Sequence, residues 1–373
     1  MPFSRLFNVV GAHAEGEVGD VVTGGFLDIP AKTMHEKMLA FWTKHDQIRQ
    51  LLLNEPRGRE AKCANLIVVP WDPTADAGFL IMESEEYAPM SGSNAICVTT
   101  VLLETEMVPM REPSTTVRLD TAAGLVVATA ECKDGKCVAV ELENVPSFVL
   151  ALDLEVNVPG FGPVLVDVAY GGMMFALVDA SSVGQRLDDF GRNGAALVEL
   201  GERIKQAVRA TFTPVHPENP AISGVTNLVF TEPLTAAGDE MTGRNATVVS
   251  PGRLDRSPCG TGTSARLAVL HAKGLLDVGK VLRYRSFSGS EFIARVSRAT
   301  TVGHYPAVVP LVKGRGFITS FQQVVLDSTD PYPYGFRVSD AWHNVEPSVL
   351  PEHRRECTRI INDEDGTLFE SPK

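Results

Sequence analysis

Basic charge is scarce in this chain: 34 Lys and Arg face 46 Asp and Glu, leaving a net charge of −12. A surface of that sign lacks the cationic patches that nucleic acid and anionic membranes require, which excludes both as partners. Cysteine is also sparse, with six in 373 residues and no zinc spacing, so reduced thiols are expected in place of a disulfide framework. No stretch approaches the ~18 uninterrupted apolar residues of a membrane span. Met1 to Val10 lacks the long apolar core of a secretory signal, so the expected compartment is the cytoplasm. There is no Walker loop, no Gly-x-Gly-x-x-Gly after a strand and no His-Glu-x-x-His, so no cofactor and no metal are expected. What remains is 44% hydrophobic and 21% charged, enough for a sizeable core in two domains or one large one.

Two stretches carry the chemistry. Ser257-Pro258-Cys259-Gly260-Thr261-Gly262-Thr263-Ser264-Ala265 leads into an apolar, helix-length run, with Lys273 in its last turn and Gly274 as a natural stop. Cys259 is thereby placed at a helix start, where free N–H groups and the dipole favour a thiolate or a bound carboxylate. A lone cysteine there is otherwise a buried residue in a tight loop. Upstream, Met90-Ser91-Gly92-Ser93-Asn94 followed by Ala95 to Leu103 has the same layout, with Ser91 standing where Cys259 stands. Two such junctions imply two related halves facing each other, with one acid or base contributed by each. Taken alone, Ser91 reads first as a helix cap, a role serine fills constantly.

Asp255 to Thr263 closely resembles the second active-site motif of the proline racemase family, which includes hydroxyproline 2-epimerases and trans-3-hydroxy-L-proline dehydratases. The resemblance extends over His13-Ala14-Glu15-Gly16-Glu17 with Gly24-Gly25, Glu55 to Gly58, Tyr170-Gly171-Gly172, His216-Pro217-Glu218, Pro306 to Pro310 and Asp330-Pro331, and so over nearly the whole chain. One departure matters: the family's first motif usually reads Met-Cys-Gly-His, and this chain has Met90-Ser91-Gly92-Ser93.

Taken in order, Phe7 to Ile29 reads as strand, turn, strand. Thr33 and Glu36 form a capping box for a helical pattern from Met34 to Leu52, and strands at Leu66 to Val69 and Gly78 to Met82 deliver the chain to Ser91. A mirrored order follows: strands at Val164 to Tyr170 and Met174 to Val178, helical spacing at Leu197, Leu200, Ile204 and Val208, then strands, then Cys259. Between the halves, Leu119 to Leu154 alternates as antiparallel strands do. Cys132 and Cys137 flank the turn signal Asp134-Gly135, and Asn157 to Gly162 is the expected crossover. With the resemblance, these features imply an α+β fold: two similar domains, each a mostly antiparallel sheet closing around a central helix, in the manner of diaminopimelate epimerase. The division expected is 1–158 plus 330–373 for the domain carrying Ser91, and 159–329 for that carrying Cys259, with the site in the cleft. Val345 to Lys373 is expected to pack back on the first half.

The resemblance implies catalytic roles for Ser91 and Cys259. It gives carboxylate-binding roles to Gly92, Ser93, Gly260 and Thr261, and makes Asp255 the partner of the substrate's ring nitrogen. The alternative reading of Asp255-Arg256 is a surface ion pair. His13, Glu15 and Glu17 resemble a metal or acid/base cluster in isolation, but fall in the family's N-terminal signature and are read as structural. His216 is left without a role, and Asn227 is a candidate pocket residue. The expected partner is a hydroxyproline, bound by a monomer or homodimer. The leading expectation is cofactor-free dehydration of trans-3-hydroxy-L-proline to 1-pyrroline-2-carboxylate, because the resemblance implies that replacing one thiol of the pair by Ser or Thr accompanies dehydration. The alternative is 2-epimerisation of 4-hydroxyproline, alone or as a second activity. A non-catalytic imino-acid binder is the third reading, and the intact Cys259 motif argues against it.

Overall fold

The computed structural model describes residues 3–187, 192–250 and 252–338. Among these, 19 strands join into one continuous and mostly antiparallel sheet, with a separate ribbon formed by Val215–His216 and Asn219–Ser223. Five α-helices accompany it: α1 (Met34–Lys44), α2 (Gln47–Leu53), α3 (Gly92–Glu104), α4 (Gly194–Thr211) and α5 (Gly260–Ala272).

Each half of the sheet encloses one helix. In the first half, α3 packs against Phe3–Ala14, Glu17–Gly24, Lys136–Glu143 and Gly316–Asp327. In the second, α5 packs against Ser147–Val158, Gly162–Tyr170, Glu291–Val302 and Tyr305–Gly314. Every residue of α3 from Gly92 to Leu103 is buried, including the polar Ser93, Asn94, Thr99 and Thr100, as befits a helix enclosed on all sides. Tyr305–Gly314 pairs with Glu291–Val302 on one edge and with Lys136–Glu143 on the other, and this strand fuses the two halves into one sheet. One hydrophobic core accordingly contains Ile96, Val98 and Leu102 of α3 together with Leu267, Val269 and Leu270 of α5.

A second helix covers each half from outside. Leu197, Leu200, Ile204 and Val208 bury the inner face of α4 in the second half. Met34, Met38, Phe41 and Trp42 do the same for α1 in the first. The Thr33 hydroxyl caps α1 by accepting from the Glu36 N–H at 3.0 Å, and the Glu36 carboxylate accepts from the Lys32 N–H at 3.0 Å. The single helical run expected from Met34 to Leu52 is broken at His45, whose φ of −136° ends α1 before α2 begins.

Two expectations are revised. Asn157 to Gly162 is no crossover between halves: it closes a hairpin between Ser147–Val158 and Gly162–Tyr170, with the Phe161 N–H donating to the Val158 carbonyl at 2.9 Å. Gly160 and Gly162, at φ 71° and 113°, supply the left-handed backbone that turn needs. Gly316–Asp327 returns to pair along Phe3–Ala14, so a segment that the 159–329 division would place in the second domain lies in the sheet of the first. Residues up to 338 also lie on the first half. The Asn54 amide donates to the Tyr334 carbonyl at 3.0 Å, Arg337 Nε donates to Asn54 Oδ1 at 2.8 Å, and Arg57 pairs with Asp330. The expected packing of Val345 to Lys373 lies outside the described residues. Among the described residues no helix is long and apolar enough to cross a membrane.

Candidate active site

The two central helices meet head to head. A Cβ built on Gly92 would lie 2.8 Å from the Gly260 Cα, and one built on Gly260 would lie 2.7 Å from the Gly92 Cα, so glycine is required at both. Ser91 and Cys259 are the N-cap residues of these helices and stand at either end of that contact, with exposures of 9% and 5%. Each helix start carries N–H groups without an intrahelical acceptor, Gly92 and Ser93 on α3 and Gly260 and Thr261 on α5, and the dipole and free donors at such ends favour an anion. Gly171 and Gly172 bring the Tyr170 loop onto the same point, since a Cβ on Gly172 would meet the Thr261 methyl at 2.9 Å and the Met90 Cβ at 3.2 Å.

The Ser91 hydroxyl makes no capping bond to α3. It accepts from Asn94 Nδ2 at 2.9 Å and lies 3.3 Å from the Ser93 hydroxyl. A cap is worth about 1 kcal/mol, whereas burial of Ile96, Val98, Val101 and Leu102 is worth about 1.5–3 kcal/mol for each side chain. Packing therefore holds α3 in place, and the hydroxyl is available for chemistry.

Cys259 is held in a backbone conformation that only glycine adopts readily, φ 60° and ψ 103°. Strain of this kind costs about 1–3 kcal/mol and is opposed by several bonds. The Cys259 N–H donates to the Ser257 hydroxyl at 3.0 Å, the Thr263 N–H donates to the Cys259 carbonyl at 2.7 Å, and the Gly262 N–H donates to the thiol at 3.4 Å. The Thr261 hydroxyl lies 3.8 Å from the sulfur. Despite these donors, burial pushes the thiol well above its ordinary value, and the Asp255 charge adds to the shift. The lowered thiol pKa expected from a helix start is thus reversed, because desolvation and a nearby carboxylate outweigh two weak hydrogen bonds. Asp255 is no surface ion-pair member. It is 6% exposed and accepts from the Ser257 N–H at 2.8 Å and the Ser257 hydroxyl at 2.9 Å. Burial, then the Glu17 charge, raise its carboxyl above the usual range, opposed by Arg253.

A proline racemase family model matches residues 9–337. The chain belongs to the proline racemase family. It is 44% identical over 344 residues to a 4-hydroxyproline 2-epimerase of Rhizobium etli, covering 92% of this chain and 98% of that protein. A crystal structure of a hydroxyproline epimerase from Agrobacterium vitis, with bound trans-4-hydroxy-L-proline, superposes with a TM-score of 0.86 at 41% identity, covering 92% of this chain and 98% of that one. A probable proline racemase from Agrobacterium radiobacter, with bound carbonate, gives 0.85 at 43% identity, with coverage of 91% and 98%.

Other residues singled out in this proline racemase family chain fall in separate places. His13 Nδ1 accepts from the Gly16 N–H at 3.2 Å and its ring packs on Phe317, while Glu15 binds Arg315 with an Oε1–Nε distance of 2.9 Å. Glu17 departs from that pair and crosses to the second half, where it meets Arg253 at 2.8 Å. Among the described residues, no three His, Cys, Asp or Glu side chains gather as a metal would need. His216 stacks edge-on to Tyr170 and Phe148, behind the glycine loop. Asn227 is buried, with Nδ2 3.5 Å from the Met173 sulfur. Sequence reasoning missed Arg253 and Glu83, both buried beside Asp255. A charged residue two positions before Asp255 was the only signal for Arg253. Also missed was a narrow inter-half cavity, lined by His35, Trp42 and Tyr87 from one half and by Met173, Ser223 and Thr226 from the other. The buried Tyr87 and Thr226 hydroxyls there have no hydrogen-bond partner.

Proposed function

We propose that this protein is a cofactor-independent 4-hydroxyproline 2-epimerase. The observation that supports the reading is the head-to-head contact of α3 and α5 at Gly92 and Gly260, two helix starts whose N-cap residues are Ser91, a hydroxyl, and Cys259, a thiol. Inversion at an α-carbon needs that arrangement: one group removes the α-hydrogen from one face and another delivers a proton to the other. The substrate carboxylate lies between the helix starts, accepting from the N–H groups of Gly92, Ser93, Gly260 and Thr261, whose donors stabilise the enolate-like charge as the hydrogen leaves. Asp255 receives the ring ammonium, and its buried carboxyl ionises more readily once that cation arrives. Cys259 and Ser91 exchange protons with the two faces. The names of relatives at 44% identity support the same substrate. The unpartnered Tyr87 and Thr226 hydroxyls offer partners for a ring hydroxyl.

A second reading, dehydration of trans-3-hydroxy-L-proline, is favoured by one observation: the Ser91 hydroxyl bonds to Asn94 and Ser93, neither of which is a base. In that isomer the α-hydrogen and the leaving hydroxyl share one ring face. Elimination is then syn, and a single cysteine can take the α-hydrogen as thiolate and, as the thiol so formed, protonate the departing oxygen to release water. Assays of both substrates in deuterated water, for wild type, Ser91→Ala and Cys259→Ala, separate the two. Epimerisation predicts 4-hydroxyproline as the better substrate, one deuterium placed at the α-carbon of the epimer, and loss of epimer formation in both variants. Faster turnover of the 3-hydroxy isomer, with Ser91→Ala still active, would transfer the assignment to the dehydratase.

A further inference from the structure

Behind Asp255 lies a set of buried charges drawn from both halves. Glu17, on the strand Glu17–Gly24 of the first half, is 3% exposed and both of its oxygens are engaged. Oε1 accepts from Arg253 Nη1 at 2.8 Å, and Oε2 accepts from the Arg256 backbone N–H at 2.8 Å. Arg253 and Arg256 bracket Asp255 on the segment leading to Cys259, so one carboxylate from the first half grips the second half on both sides of the aspartate. The Arg256 peptide is held from its other end too, since its carbonyl accepts from the Ser288 hydroxyl at 2.8 Å and the Ser286 hydroxyl at 3.2 Å. The turn before Glu17 packs on the same peptide, with a Cβ on Gly16 falling 3.6 Å from the Arg256 carbonyl oxygen.

We propose that Glu17 is the positioning residue of the site, a clasp that fixes Asp255 in its binding place only when the two halves are closed. The inference rests on the reading of Asp255 as the ammonium-binding group. Ser91, Asp255 and Cys259 are all nearly inaccessible, so substrate enters only if the halves part. Parting them separates Glu17 from Arg253. Closure restores a buried ion pair whose members are each costly to leave unpartnered, which makes the closed geometry well defined. The charged and titratable groups facing Asp255 are Glu17, Arg253, Glu83 and the Cys259 thiol.

The test compares wild type, Glu17→Gln and the double variant Glu17→Gln/Arg253→Met. Misplacing Asp255 is expected to lower kcat/KM of Glu17→Gln on the order of 100-fold, mostly through KM. Its acid limb is expected to move to lower pH, because the Glu17 charge that raises the Asp255 carboxyl has gone. Independently of turnover, iodoacetamide labelling of the Cys259 peptide, read by mass spectrometry on each variant's high-pH plateau, is expected to be about tenfold faster once the halves part more easily. The double variant removes both members of the ion pair and supplies the labelling rate if Glu17→Gln does not fold; it is expected to label as fast. A loss of activity with an unmoved acid limb and unchanged labelling would make Glu17 a plain structural residue and overturn the proposal. If wild type turns over neither hydroxyproline isomer, the proposed function fails while the labelling comparison still decides the clasp.

Discussion

Cys259 shows two local effects in competition. Its place at the head of α5 favours a thiolate, but burial and the Asp255 charge prevail, so the closed enzyme holds a thiol. Alkylation against pH should therefore give an apparent pKa above the ordinary thiol value, and Asp255→Asn should lower it. A wild-type value below the ordinary one would show that the helix start dominates after all. Glu83 extends the argument to stability. Its carboxyl is raised by burial first and by Glu86 second. A carboxyl with a folded pKa above its unfolded one binds more protons when folded, so stability falls as pH rises from the unfolded value through the folded one. Glu83→Gln should melt like wild type near about pH 4 and be more stable by about 1 kcal/mol or more in mildly alkaline buffer. Thermal melts across pH will check the sign. At Tyr87, removal of a hydroxyl with no protein partner should leave the fold intact. If that hydroxyl binds the ring oxygen, Tyr87→Phe should reduce the preference for 4-hydroxyproline over proline by about tenfold or more.

At the scale of elements, the contact between α3 and α5 allows no side chain. Gly92→Ala would drive a methyl to within 2.8 Å of the Gly260 backbone, and neither helix start can retreat without disturbing a fully buried helix. The expected result is a loss of kcat/KM on the order of 100-fold or more, accompanied by a lower melting temperature. Near-normal activity would mean that the two helix starts can separate while the site still works. The end of α1 presents the contrasting case. Thr33 caps it at the surface, away from the site, so Thr33→Ala should cost about 1 kcal/mol of stability with kcat unchanged.

The described residues form two sheet halves fused along Tyr305–Gly314, with the starts of α3 and α5 in contact between them. Pyrrole-2-carboxylate, a planar mimic of the deprotonated ring, should favour the closed arrangement. Small-angle scattering is expected to show a smaller radius of gyration with it than without. Identical profiles would indicate a site that opens by a local loop movement.

Much of this architecture was legible in the chain because it depends on short-range pattern. The cap at Thr33, the period of Leu197 to Val208 and the two glycine-flanked helix starts are each written within a dozen or so residues, and the alternation of Leu119 to Leu154 repeats from one residue to the next. Ser91, Asp255 and Cys259 are singled out through the family resemblance of the stretches that carry them, since taken alone they read as a helix cap, an ion-pair member and a buried cysteine. Tertiary structure decided what depends on residues distant in sequence. Asn157 to Gly162 looks like a linker until Ser147–Val158 is seen pairing across it, and Gly316–Asp327 joins the first half only because Phe3–Ala14 offers it an edge. The direction of the Cys259 shift depends on burial and on Asp255, which no helix-start rule contains. Glu17 is one more acid in an N-terminal signature until folding brings Arg253 and the Arg256 amide to its two oxygens, from more than half the chain away. Desolvation and cross-half ion pairs are properties of the packed molecule, and a linear sequence carries their ingredients without their distances.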